Sequence, residues 1–174
     1  MLQNSLPVRH KFIALDPSLT STGVAIFSDT TLLKTYTISP RNKGEARFEE
    51  IAFALKAIIA LHKPDILITE TAFFGQFAKT ALTLGRVRGI FEGVFYLSEN
   101  SKGIVIGIAP SEGKANFKAW RGKKDKELLA SKINALYPEV SFKSQDEIDA
   151  VAIGLTGIKK FCGQEALQSL FKNL

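Results

Sequence analysis

Four acids in a chain of 174 residues stand where a carboxylate costs free energy unless something makes use of it: Asp16, Glu70, Asp146 and Asp149. Asp16 ends the apolar run "KFIALD" and Glu70 ends "DILITE". Each therefore sits at the carboxyl end of a predicted strand, where open α/β sheets place their ligand sites. Asp146 and Asp149 are three apart at the start of "QDEIDAVAIGL", which puts both on one face of a predicted helix. Four carboxylates brought together repel and raise one another's pKa values, an arrangement that cations relieve. Hard oxygen donors of this kind favour Mg²⁺ or Mn²⁺. Two such ions about 4 Å apart clamp a scissile phosphate, one activating water and the other stabilising the leaving oxygen.

Each acid also has a plainer explanation when taken singly. Asp16 precedes Pro17 and Ser18 and suits a turn; Glu70 suits a solvated strand boundary; Asp146 complements a helix dipole. Asp149 is harder to dismiss, because "AVAIGL" follows it at once and so apolar a helix is expected to be buried. Glu147 lies three residues after Ser144, a capping box, and is assigned to helix initiation alone. It is the joint pattern that points to a site.

The elements that must position these acids follow from periodicity. Lys11 to Asp16, Ser21 to Ser28 and Thr31 to Ser39 read as a three-strand antiparallel meander. "GEARFEEIAFALKAIIALHK" has a helical period that Pro64 stops, so the first helix ends near His62. Asp65 to Glu70 and Gly103 to Ala109 read as strands buried on both faces and hence parallel. Between them a helix is expected from about Phe77 to Leu97, with Gly85, Gly89 and Gly93 along one face; each glycine costs about 1 kcal/mol relative to alanine, so such a stripe suggests another backbone packed closely, as from a partner subunit. A helix from about Lys124 to Leu136 and a last one starting at Ser144 complete the order β β β α β α β α α. Right-handed crossovers then give a five-stranded mixed sheet with helices on both faces, the ribonuclease H-like α/β fold.

The composition, 45% hydrophobic and 23% charged, is that of a globular protein, and the length suits one domain over 1–174 with an arm at 1–10 and a tail at 163–174. The single cysteine, Cys162, excludes an intrachain disulfide and a cysteine-rich zinc cluster. No signal peptide or membrane-spanning run is visible, and a cytoplasmic, membrane-free protein is expected. The formal charge of +6 suits a polyanionic partner. Its densest stretch, Ser111 to Lys132, interleaves basic residues with Phe117 and Trp120, which suits nucleic acid as well as a solvated helix face.

The residues together resemble the RuvC family of Holliday junction resolvases, over roughly Phe12 to Ile158. "DPSLTSTGVA" is similar to the family's first motif, "ETAF" to its second, "LTLGRVRG" to its dimer helix and "DEIDAVAI" to its final motif. The resemblance implies a homodimeric, metal-dependent endodeoxyribonuclease that resolves four-way DNA junctions into duplexes with 5′-phosphate and 3′-hydroxyl ends. It implies Asp16, Glu70, Asp146 and Asp149 as catalytic ligands of two ions, and Phe73 as the aromatic inserted at the crossover. Lys114 and Lys126 are similar to the two lysines that approach DNA in the family, with Lys123 and Lys124 competing for the second place. Ser18 stands where the family commonly has glycine.

Three rival readings accompany this one. A sugar-kinase-like phosphotransferase needs a second lobe for which 174 residues leave no room. A junction-binding module that has lost its chemistry would be expected to have lost an acid. A broader branched-DNA or RNA–DNA nuclease of the same fold is the serious rival, since the same metal pair serves all these substrates.

Overall fold

The computed structural model describes residues 9–71, 78–117 and 123–163, of which only the backbone at 78–80, 113–115, 123 and 124. In chain order the elements are β1 (Lys11–Asp16), β2 (Thr22–Ser28), β3 (Thr31–Ile38), α1 (Ala46–His62), β4 (Ile66–Glu70), α2 (Ala78–Tyr96), β5 (Ile104–Ile108), α3 (Pro110–Asn116), α4 (Lys123–Leu136) and α5 (Gln145–Cys162). The strands form one sheet in the order β3-β2-β1-β4-β5. The β1–β2 and β2–β3 pairs are antiparallel, and β1–β4 and β4–β5 are parallel.

Local chemistry explains the tight connections. Thr22 Oγ1 donates to the Ser18 carbonyl at 2.7 Å and accepts from Ser18 N at 3.3 Å, closing the β1–β2 turn. Asp29 takes φ 50° in the β2–β3 turn, a conformation that aspartate tolerates better than most residues, and its Oδ1 accepts from His10 N at 2.9 Å. α1 stops at Lys63, whose N–H bonds to the Ile59 carbonyl at 2.7 Å with φ 52°, and Pro64 then prevents the helix continuing.

Alternation along the strands divides the core into two layers. Phe12, Ala14, Ala25, Phe27, Ile66 and Ile68 pack against α5 and α4. Ile13, Leu15, Val24, Ile26 and Leu67 face the other way, onto α1 and α2. α5 is buried from Ala150 to Ile158, as its apolar run leads one to expect. It lies flat on the sheet because Gly154 and Gly157 leave room for Phe27 and Ile68; a Cβ at either position would overlap those side chains.

Two elements differ from the sequence-based expectation. Gly103 to Ala109 reads as a third buried strand, yet β5 is the sheet's edge and all its residues but Ile108 are only partly covered. Its apolar content reflects cover from helices, not a second neighbouring strand. The basic stretch after Pro110 contains a short helix, α3, that no apolar period announces. Its aromatic Phe117 is fully buried in the α5-side core and so does not belong to a nucleic-acid surface. The tail, apart from Gly163, lies outside the described residues.

Candidate active site

Strand alternation decides which acids meet. Asp16 is two residues beyond Ala14 and Glu70 two beyond Ile68, and both of those predecessors face α5. The acids therefore project from the same face of the sheet. Parallel pairing of Leu15 with Thr69 sets the two strand ends side by side.

On the other side of β1, Asp16 pairs with Gly23 of β2. A Cβ on Gly23 would overlap the backbone carbonyl of Asp146. The absent side chain thus lets the first turn of α5 rest directly on β2, beside Asp16. Ser144 caps that turn from an extended conformation, its Oγ accepting from Glu147 N at 3.2 Å.

The electrostatics record the result. Asp16 is pushed up from its ordinary 3.8 to about 8, first by burial and then by the charges of Asp149, Glu70 and Asp146, while Lys126 pulls it down. The four acids singled out in the sequence therefore share one electrostatic neighbourhood, with Lys126, exposed in the first turns of α4, close enough to be felt. Neutral donors hold the helix pair: Ser21 Oγ donates to Asp146 Oδ2, and Gln145 Nε2 donates to Asp149 Oδ1 at 2.9 Å.

Among the described residues, no group of three or more His, Cys, Asp and Glu side chains is arranged to hold a metal ion as it stands. The donor set nevertheless fits a hard divalent cation. It is all carboxylate oxygen, and one carboxyl, that of Asp16, is driven to about 8 by burial and then by the charges of the other three acids, charges a divalent cation would offset.

Of the other sequence-selected residues, Phe73 lies outside the described residues, and the side chains of Lys114, Lys123 and Lys124 do too; their backbones fall in α3 and at the start of α4. Ser21 and Gln145 were not foreseen. Ser21 reads as one more small residue in a turn, and nothing in its neighbours announces a partner 125 positions away. Glu147 departs most from expectation. Its carboxylate is 2% exposed and reaches Lys143 N at 3.0 Å, Thr35 and Thr37. It links α5 to β3 instead of serving helix initiation alone. The alternation of Thr35 and Thr37 along β3 is the signal that was there to be read.

Residues 12–157 match the family model described as "Crossover junction endodeoxyribonuclease RuvC". The protein of that name from Chlorobium phaeovibrioides is 31% identical over 159 residues, covering 87% of this chain and 82% of its own. The one from Parvibaculum lavamentivorans is 28% identical over 156 residues, covering 86% and 87%. The structure "T. thermophilus RuvC in complex with Holliday junction substrate" shares the fold with a TM-score of 0.70 at 19% identity, covering 88% of this chain and 96% of that one. The matched span takes in both strand-end acids and both helix acids, and the chain belongs to the RuvC family of crossover junction endodeoxyribonucleases.

Proposed function

We infer that the chain is a structure-selective endodeoxyribonuclease that resolves four-way DNA junctions by metal-dependent phosphodiester hydrolysis, leaving 5′-phosphate and 3′-hydroxyl ends. The observation that carries this reading is geometric: the adjacent ends of β1 and β4 and the first turn of α5, seated on Gly23, bring Glu70, Asp146 and Asp149 within electrostatic reach of the buried Asp16. Asp16, Glu70, Asp146 and Asp149 would hold two divalent cations, Mg²⁺ or Mn²⁺. When bound, such ions neutralise the acids, lower the pKa of water and stabilise the leaving oxygen.

The chain's own residues supply the positioning. Adjacent strand ends carry Asp16 and Glu70; Ser21 and Gln145 orient Asp146 and Asp149. Lys126 stands at the rim, where a cation meets backbone phosphate, and Lys114, Lys123, Lys124 and Phe73 are assigned to DNA by family resemblance. Branched DNA as the substrate is supported by the family name and by related folds solved with Holliday junction DNA, the T. thermophilus RuvC and a Fowlpox virus resolvase. No described helix is long and apolar enough to cross a membrane, and a cytoplasmic location suits this activity.

The test is nicking of a labelled, mobile four-way junction beside a fork, a flap and a linear duplex, each with Mg²⁺, Mn²⁺ or chelator. Symmetric, metal-dependent nicks in the junction are the expected result. Equal cutting of fork and flap favours the broader branch nuclease, and binding without cutting favours a module without chemistry.

A homodimer through α2 completes the reading, since a two-fold enzyme matches a two-fold junction. It is supported by Gly85, Gly89 and Gly93, where an added Cβ meets nothing within 4 Å among the described residues, and by the exposure of Leu82 and Leu97, 68% and 89%. Because position 89 is open, Gly89→Glu is expected to fold normally yet sediment as a monomer at micromolar concentration, where the wild type sediments as a dimer. A monomeric wild type would remove the dimer from the proposal.

A further inference from the structure

We propose that Glu147 is a positioning residue: its buried carboxylate, gripped by Thr35 and Thr37 of the edge strand β3, sets the height and rotation of the first turn of α5, and through it the places of Asp146 and Asp149. The inference rests on the metal-dependent reading above.

A carboxylate taken out of water is tolerated only when its oxygens are fully engaged. Glu147 is 2% exposed, and its Oε2 accepts from Thr35 Oγ1 at 2.8 Å and from Lys143 N at 3.0 Å, while its Oε1 accepts from Thr37 Oγ1 at 3.1 Å. Thr37 Oγ1 also lies 2.8 Å from Ser144 Oγ. A hydroxyl has one proton. With the Thr37 proton given to Glu147, Ser144 must donate to Thr37, and Ser144 in turn accepts from Glu147 N at 3.2 Å. The result is a closed, single-direction ring from Glu147 N through Ser144 and Thr37 back to the Glu147 carboxylate. Rings of this kind specify one geometry, since any displacement breaks more than one bond.

The sheet register shows what that geometry fixes. Thr37 pairs with Gly23, and Gly23 pairs with Asp16, so the three lie in one row across β3, β2 and β1. The start of α5 crosses this row: Glu147 is tied to Thr37, the Asp146 carbonyl rests over Gly23, and Asp146 and Asp149 fall within electrostatic reach of Asp16. Glu147 is peptide-bonded to Asp146 and touches none of the reacting groups. A packing residue would need no carboxylate here.

The test is a Thr35→Val, Thr37→Val double variant, which keeps shape and removes both hydroxyl donors, beside Glu147→Gln and Glu147→Ala. Mn²⁺ affinity by calorimetry, melting temperature and junction nicking are read on each. Loss of partners that orient metal ligands typically costs 10- to 100-fold in metal affinity or activity. The double variant and Glu147→Ala are expected to bind Mn²⁺ about tenfold more weakly or worse and to nick correspondingly slowly at fixed metal. Rescue by raised Mn²⁺ and partial retention by Glu147→Gln are also expected. Should Glu147→Ala fail to fold, the double variant decides. A folded double variant with wild-type Mn²⁺ affinity and nicking overturns the proposal, even if its melting temperature falls. A wild-type protein that binds no Mn²⁺ overturns the metal reading itself, and this inference with it; wild-type binding with an unaffected double variant overturns this inference alone.

Discussion

Asp16→Asn is expected to abolish junction cleavage while making the metal-free protein more stable, increasingly so as the pH rises. Asp16 has a folded-state pKa of about 8 against an ordinary 3.8, from burial and the charges of Asp149, Glu70 and Asp146. The folded chain therefore holds this proton more tightly than the unfolded chain. The benefit is fully present below the ordinary value, and stability drains away as pH climbs from about 4 to about 8. Asparagine carries no charge at any pH and is exempt. We expect the melting-temperature advantage of the variant over wild type to be small near pH 5 and about 5–10 °C at pH 8, on the scale of a few kcal/mol for a domain of this size. Divalent metal should reverse the order by neutralising the acids of the wild type. Loss of a ligand that helps offset several kcal/mol of transition-state charge corresponds to a rate lower by about 10³-fold or more. Thermal melts of both proteins across pH, with chelator and with Mg²⁺, check the first part and junction nicking the second. Wild-type turnover by the variant would remove Asp16 from the site, and a pH-independent melting difference would show that its environment does not perturb it.

Gly23→Ala tests the same site without touching an acid. The added methyl would overlap the Asp146 carbonyl, and backbone cannot swing aside as a side-chain tip can. Overpacking a well-fitted interior costs about 1–3 kcal/mol and occasionally more, so we expect the melting temperature to fall by roughly 5–10 °C. The first turn of α5 must lift off β2, taking Asp146 and Asp149 away from Asp16, so cleavage should drop by about 10²-fold or more, the order of effect produced when catalytic groups are misplaced by about 1 Å. Melting followed by nicking well below the new transition separates the two effects. Normal nicking by a destabilised variant would mean that the helix can shift without cost to the site. Gly85, by contrast, has nothing within 4 Å of an added Cβ among the described residues, and alanine there should leave the fold of the protomer unharmed.

Much of this architecture was legible in the residues because the signals are local. A strand that ends in an acid, a helix that Pro64 stops and a Ser144 N-cap each follow from a few neighbouring side chains, and each is found where the pattern places it. The parallel placement of β4 beside β1 and of β5 beside β4 follows from the length and hand of the connections. What misled was local information standing in for a long-range fact. β5 has the composition of a buried strand, but nothing in its sequence states that no strand lies beyond it. Phe117 sits amid basic residues, yet it turns inward because its turn of chain passes over α5.

The sequence by itself determined the four acids, the face of the strand or helix each occupies and, through alternation, the order in which core residues alternate between layers. Only the tertiary structure decided that Gly23 is empty so that Asp146 can rest upon it, that Ser21 and Gln145 hold the helix acids, and that Glu147 is a buried strut to β3. The physical reason is separation along the chain. Periodicity reports which way a side chain points relative to its own backbone, whereas a hydrogen bond between residues 112 positions apart, as from Thr35 to Glu147, depends on register and helix height, which the packing of the whole sheet sets at once.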